Sequence, residues 1–308
     1  MSIQRVHIPG KVMLSGEYAV LHGGTAALAP VDRWLTVSEG QSTTNPSPVI
    51  TEALKLPIHE LAGFEQEHPL HSVVIDRAEF QAEGPEGDAR KLGIGSSAAE
   101  AVGVIALRFQ RAGIEWKQNR RSVASAASEA HRAAQGGTGS GADVWACAIG
   151  GPITFRIGLS GTDAIPIEPL DGAPQLTLAW TGIPANTREL VGQFEDWLSN
   201  DPLSDGPLAR LADAADVLAP LWFRANSGEL FDAFDEFVAR MEECAKLARL
   251  PWRISEHEEL EEWALEHGGR AKPTGAGGGD LVLLVGDLPL KELKIPLLHI
   301  APKVDHDG

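Results

Sequence analysis

Residues 91–113 read KLGIGSSAAEAVGVIALRFQRAG. Two glycines and two serines lead directly into a helical period, with Ala98, Val102, Ile105 and Phe109 at spacings of four, three and four and Gly113 as a stop. A glycine-rich turn of this kind lets backbone N–H groups converge where no side chain blocks the approach, and the dipole of the helix behind it favours an anion. Ser96 and Ser97 add hydroxyls able to bind phosphate or a magnesium ion. One such cluster alone reads first as a tight turn with no ligand. Two more occur, Gly137-Thr-Gly-Ser-Gly141 and Gly275-Ala-Gly-Gly-Gly279, each near a lysine or an aspartate, and the three together point to phosphate chemistry.

Outward from that stretch, VHIPGKVMLSGEYAVLHGG predicts strand, turn, strand, with a further strand near Trp34 to Val37. SVVIDRAEFQAEG predicts a strand and EGPEGDAR an exposed acidic loop. Downstream, Gln118 to Gln135 has Val123, Ala127, Ala130 and Ala134 on one side of a helix. GTGSGADVWACAIGG opens a short helix, and PITFRIG follows as a strand. The Pro-, Gly- and Asp-rich run LSGTDAIPIEPLDGAP marks a domain boundary, giving residues 1–165 and 166–308. Beyond it QLTLAWTG predicts a strand and NTRELVGQFEDWLSN a helix, and Leu208 to Leu250 is largely helical. Ser255-Glu-His-Glu258 matches a capping box, and DLVLLVG and PLLHIAP are late strands. The chain is α+β in two halves, without internal repeats.

Composition narrows the class. The 308 residues are 43% hydrophobic and 22% charged, ordinary for a globular chain. Acidic residues outnumber basic ones by 43 to 26, a formal charge of −17 that repels phosphate backbones. Nucleic acids and anionic membranes are therefore poor partners. Cys147 and Cys244 cannot build a disulfide framework and fit a reducing cytoplasm. No apolar run approaches membrane-spanning length. A P-loop motif is absent. Gly93-x-Gly95-x-x-Ala98 formally matches a dinucleotide fingerprint, but the preceding GPEGDARK is too polar for the buried strand that fingerprint needs. There is no nucleophile elbow and no zinc-spaced His or Cys pair.

Three segments carry a family resemblance. Pro9-Gly10-Lys11-Val-Met-Leu-Ser-Gly-Glu-Tyr-Ala-Val-Leu-His-Gly23 resembles the first motif of the GHMP kinases. Gly93-Ile-Gly-Ser-Ser-Ala-Ala99 resembles their second motif, the ATP phosphate loop. Lys272-Pro-Thr-Gly-Ala-Gly-Gly-Gly-Asp280 resembles the third. With Gly139-Ser-Gly-Ala-Asp143 between the last two, they stand in the family's order from one end of the chain to the other. Tyr18, Lys91, the segment 133–143 and the terminal Asp280 are most similar to the branch acting on phosphomevalonate, whereas His22-Gly23 is similar to the mevalonate branch.

The resemblance implies a GHMP kinase fold: an N-terminal domain like ribosomal protein S5 domain 2 and a ferredoxin-like C-terminal domain. It implies an ATP- and Mg²⁺-dependent kinase, with phosphomevalonate as acceptor. Another GHMP acceptor or a non-catalytic ligand sensor is the alternative, and the protein is expected to be a monomer or homodimer. Lys11 and Asp143 are the implied catalytic pair, although Asp143 could be only a helix cap and Lys11 an exposed turn residue. The implied ATP contacts are Lys91, Gly93, Gly95, Ser96, Ser97 and Ala98. The acceptor side takes Glu17, Tyr18, Ser140, Arg188, Lys272, Gly275, Ala276, Gly277 and Gly278. Each lysine or arginine here also reads as a solubilising surface charge, and Glu17 as a buried, hydrogen-bonded carboxylate. Ser97 is one implied metal ligand. Where mevalonate kinases carry a metal-binding glutamate this chain has Arg132, leaving Glu129, one helical turn earlier, as the candidate second ligand. On so acidic a protein the ligand charges call for local cations, for which Lys11, Lys91, His131, Arg132 and Arg188 are candidates.

Overall fold

The computed structural model describes residues 4–41, 45–57, 70–84, 86–158, 161–169, 171, 173–223 and 227–300. Residues 58–69 and parts of the expected domain boundary (159, 160, 170 and 172) lie outside the described residues.

Strand β1 (Arg5–Ser15) does not turn at Pro9-Gly10 but runs on, antiparallel to β2 (Ala26–Glu39). Pro9 pairs with Trp34 and Gly10 with Val31, so Asp32 and Arg33 bulge out of β2. Proline fits there because a bulge needs no ladder donor. The reversal comes later, through a 3-10 turn at Ala19–His22. The other edge of β2 takes β3 (Val73–Asp76) near its end and β6 (Ile153–Gly158) at its start, with β7 (Gly161–Pro166) outermost. β7 falls where the composition suggested a boundary. Only Ala164 of its six residues is buried, so it carries no apolar alternation to betray it. The expected single strand SVVIDRAEFQAEG is broken by a 3-10 turn at Ala78–Phe80, which sends Phe80 into the core. A small hairpin follows, β4 (Gln81–Glu83) and β5 (Ala89–Lys91), around the acidic loop.

Helices α1 (Pro48–Lys55), α2 (Ser96–Arg111), α3 (Arg120–Ala134) and α4 (Ala142–Ile149) pack with this sheet. α2 lies between β1 and β2 on one side and the other three helices, so every residue from Ala98 to Phe109 is buried, not one face alone. Contact is close: a Cβ on Gly103 would lie 2.3 Å from Val37 Cγ2. On α3, Val123, Ala127 and Ala130 are buried as the spacing predicts.

The second sheet contains β8 (Leu176–Trp180), β9 (Arg270–Pro273), β10 (Leu281–Val285) and β11 (Leu297–His299), in the order β11-β8-β10-β9, all antiparallel. That is the strand order of a ferredoxin-like sheet. The first crossover is long, with α5 (Thr187–Asn200), α6 (Asp205–Leu218), α7 (Ser227–Leu247) and α8 (Ser255–Glu266). The second crossover holds only a 3-10 turn, Leu290–Glu292. The expected capping box at Ser255 does not form. Ile254 is the N-cap residue, its N–H donates to His257 Nδ1 (3.4 Å), and Ser255 Oγ donates to Glu256 instead. Among the described residues no helix is long and apolar enough to cross a membrane.

The halves are sewn together. Trp222 Nε1 donates to Ser15 Oγ (3.0 Å), Thr25 N–H to Asp216 Oδ1 (2.7 Å), and Val31 forms a bridge to Ile300.

Candidate active site

Gly93 and Gly95 both have left-handed backbone (φ 77° and 85°) and flank the buried Ile94. Helix α2 starts at Ser96 with Gly95 as its N-cap and no side-chain cap, so its first-turn N–H groups lack the usual side-chain acceptor. Lys11 is laid against this turn. Its N–H donates to Ile94 O (2.9 Å), and a Cβ on Gly95 would meet Lys11 Cε at 2.7 Å. The bulge at Pro9-Gly10 thus aims Lys11 at the glycine turn.

The ammonium of Lys11 reaches Asp143 Oδ1 at 2.9 Å. Asp143 sits in the first turn of α4, behind a loop in which Gly136, Gly137, Gly139 and Gly141 all take left-handed backbone. Ser140 Oγ accepts from Ala142 N–H (3.2 Å), steadying that turn. Burial works against the charge on Lys11, but Asp143, by charge and hydrogen bond, and Asp280, by charge, outweigh it and hold the lysine above its ordinary value. Beneath the pair, burial pushes the Cys147 thiol up, so it stays protonated.

Asp280, which in the sequence only ends the third glycine run, joins these residues in the fold. It faces the glycine turn: a Cβ on Gly93 would be 2.7 Å from its Cγ. Its backbone is left-handed (φ 55°), rare outside glycine, and Oδ1 accepts from Ala185 N–H (3.3 Å). Burial raises its pKa, against the pull of the Ala185 bond and the nearby Lys11 charge.

Other candidates divide into those the fold gathers and those it does not. Ser97 is exposed at the start of α2, and its Oγ lies 3.1 Å from His131 Nε2 on α3. His131 is buried, and that burial holds it below its ordinary value, so it does not serve as the cation expected at neutral pH. Tyr18, with positive φ, packs on Phe194 (centroids 4.4 Å apart) and donates its hydroxyl to Ala276 O (2.8 Å), tying the first motif to the third. Lys272 is not a loop lysine. It lies in β9, fully buried, and pairs with the equally buried Glu17 while donating to Pro273 O (3.0 Å). Neither side chain has surface left for a ligand. Gly277 and Gly278 serve packing, since Cβ atoms there would stand 2.3 Å from Trp252 Cδ1 and 3.0 Å from Leu190 Cδ1, whereas Gly275 faces open space. Lys91 and Arg188 are exposed at the end of β5 and the start of α5, as is Arg132 on α3.

Glu129 is exposed on α3, about 200° around the helix from His131, so it does not turn toward Ser97. Glu100, one turn along α2 from Ser97, is buried and held by Arg77 Nε and Ser47 Oγ, each at 2.7 Å. Among the described residues no group of three or more His, Cys, Asp and Glu could hold a metal by itself.

A glycine cradle at an uncapped helix N-terminus, with a lysine–aspartate pair against it, is an arrangement suited to a phosphate-bearing ligand. Residues 77–151 match the GHMP kinases N terminal domain, and the fold is that of the GHMP kinases. More particularly, the chain is 26% identical over 331 residues to the phosphomevalonate kinase of a Streptomyces strain, covering 89% of this chain and 87% of that protein. It is 27% identical over 311 residues to the phosphomevalonate kinase of Saccharolobus solfataricus, covering 92% and 90%. The structure of Streptococcus pneumoniae phosphomevalonate kinase in complex with phosphomevalonate and AMPPNP superposes with a TM-score of 0.77 over 94% of each chain. At 18% identity that last likeness is one of fold.

Proposed function

We propose that this chain transfers the γ-phosphoryl group of ATP to phosphomevalonate, forming diphosphomevalonate and ADP. The observation that carries the reading is the Lys11–Asp143 pair, set directly against the N-terminus of α2. The α2 N–H groups and the turn at Gly93–Gly95 receive the nucleotide phosphates, and Ser96 and Ser97 lend hydroxyl oxygens to the phosphates or to the metal they carry. Lys11, kept as an ammonium, offsets the repulsion between two phosphate groups brought together. Asp143 orients Lys11 rather than abstracting a proton, because a phosphomonoester with a second pKa of about 6 is already largely a dianion at neutral pH. Positioning and charge stabilisation then supply most of the rate, as in phosphoryl transfer generally.

Mg²⁺ supplies further charge neutralisation across the phosphates when bound. Ser97 Oγ and the part-exposed Asp143 carboxylate would be the side-chain oxygens to hold it, the nucleotide providing the other donors. Residues 1–165 form the nucleotide half on this reading, and 166–308 supply Asp280 and the Ala276 wall. Both cysteines are free and buried, in keeping with a reducing, cytoplasmic setting, and we take the enzyme to be a monomer or homodimer.

The direct test is ADP release with phosphomevalonate, mevalonate, homoserine and galactose offered separately. Phosphomevalonate is expected to be consumed fastest. Faster turnover of mevalonate overturns the acceptor assignment, and no turnover with any of them favours a sensor.

A further inference from the structure

His131 stands outside the roles assigned so far, yet it touches the phosphate loop. Its Nε2 is 3.1 Å from Ser97 Oγ and 3.4 Å from Gln135 Nε2. The other end of the Gln135 amide lies toward the glycine loop that leads to Asp143, its Oε1 2.8 Å from the position a Cβ on Gly139 would take. With the amide nitrogen turned to the ring, His131 Nε2 takes the acceptor role, which leaves the Ser97 hydroxyl as donor. We infer that His131 is a positioning residue which takes up the hydroxyl hydrogen of Ser97, so that the lone pairs of Ser97 Oγ face the nucleotide site. Ser97 then acts toward a cation carried by the phosphates and not as a hydrogen-bond donor to a phosphate oxygen. This rests on the kinase reading above. It also gives α3 a task at the site that Glu129, on another face of the same helix, does not perform.

The test is the affinity of the whole protein for AMPPNP, measured by calorimetry with Mg²⁺ and again without it. His131→Phe keeps ring volume and removes the acceptor, whereas His131→Gln places an amide oxygen near the position of Nε2. His131→Phe is expected to weaken Mg²⁺-loaded binding by roughly two- to tenfold and to leave metal-free binding unchanged, with His131→Gln close to the unaltered protein. Ser97→Ala should show the same split, and the double variant Ser97→Ala/His131→Phe should be no weaker than Ser97→Ala alone. Losses that add in the double variant, or that are equal with and without Mg²⁺, overturn the inference while leaving the kinase reading intact. Failure of the unaltered protein to bind AMPPNP overturns both. Melting curves report whether the phenylalanine variant folds. If it does not, His131→Asn, whose shorter amide stops short of Ser97, supplies the same comparison.

Discussion

On the proposed reading Lys11 carries the largest burden of any single residue. It lies flush against Gly95, pairs with Asp143 and feels Asp280. Lys11→Ala is expected to lower kcat by about 10²–10³-fold, at least as much as Asp143→Asn, because the ammonium offsets charge directly and the carboxylate acts through it. Steady-state kinetics of the two variants decide this, and a much larger loss from Asp143→Asn would restore a general base. Since Lys11 is held above its ordinary value, its deprotonation cannot produce a fall in rate near neutral pH. The profile should show only a rise near about pH 6 as the acceptor becomes a dianion. Gly95→Val adds a Cβ 2.7 Å from Lys11 Cε at a backbone angle that costs a non-glycine residue roughly 1–2 kcal/mol. Nucleotide affinity should collapse in a protein that still melts cooperatively, and wild-type affinity would remove the turn from the scheme.

At the level of elements, what could be read in advance depended on whether the signal was local. The start of α2, the small-residue face of α3 and the short helix α4 announce themselves through glycine, serine and a regular period. β9 does not: Arg270–Pro273 contains a lysine and a proline, and only pairing with β10 makes it a strand. Lys272 therefore reads as a soluble loop residue until Glu17 is placed beside it, and no window of sequence contains both. Asp280 is hidden for a similar reason, because its neighbours Gly93 and Ala185 come from distant segments. The consequence for β9 is measurable. Lys272→Met strands the Glu17 carboxylate in the core and should cost about 3–5 kcal/mol in urea unfolding. Adding Glu17→Gln should recover much of that loss. If Lys272→Met instead raised KM for the acceptor at unchanged stability, the residue would be a ligand after all.

The whole molecule is poised by buried histidines as well as by charge. His257 is completely buried in α8, taking a hydrogen bond from Ile254 N–H on Nδ1 and facing Gly279 O with Nε2 at 3.2 Å, so the neutral ring satisfies both neighbours. Burial holds it below its ordinary value, as it does His131. The folded state then takes up these protons later than the unfolded chain. Their contribution to stability is complete above about pH 6.5 and drains away as pH falls toward the lower folded values. Asp280 and Glu261, raised by burial, work in the opposite sense at lower pH. Melting temperature should fall between about pH 7.5 and about pH 5.5, and His257→Gln should flatten that slope; an identical slope in the variant would assign the acid sensitivity elsewhere. The Glu17–Lys272 pair has a further consequence, one of timing. Its partners are 255 residues apart, so during synthesis at about 5–20 residues per second the glutamate waits roughly 10–50 s for its lysine to be made. Until then the end of β1 cannot close over a compensated charge. A nascent chain that already contains the Gly93–Gly95 turn therefore keeps the Glu17 carboxylate in water until its last sheet is made.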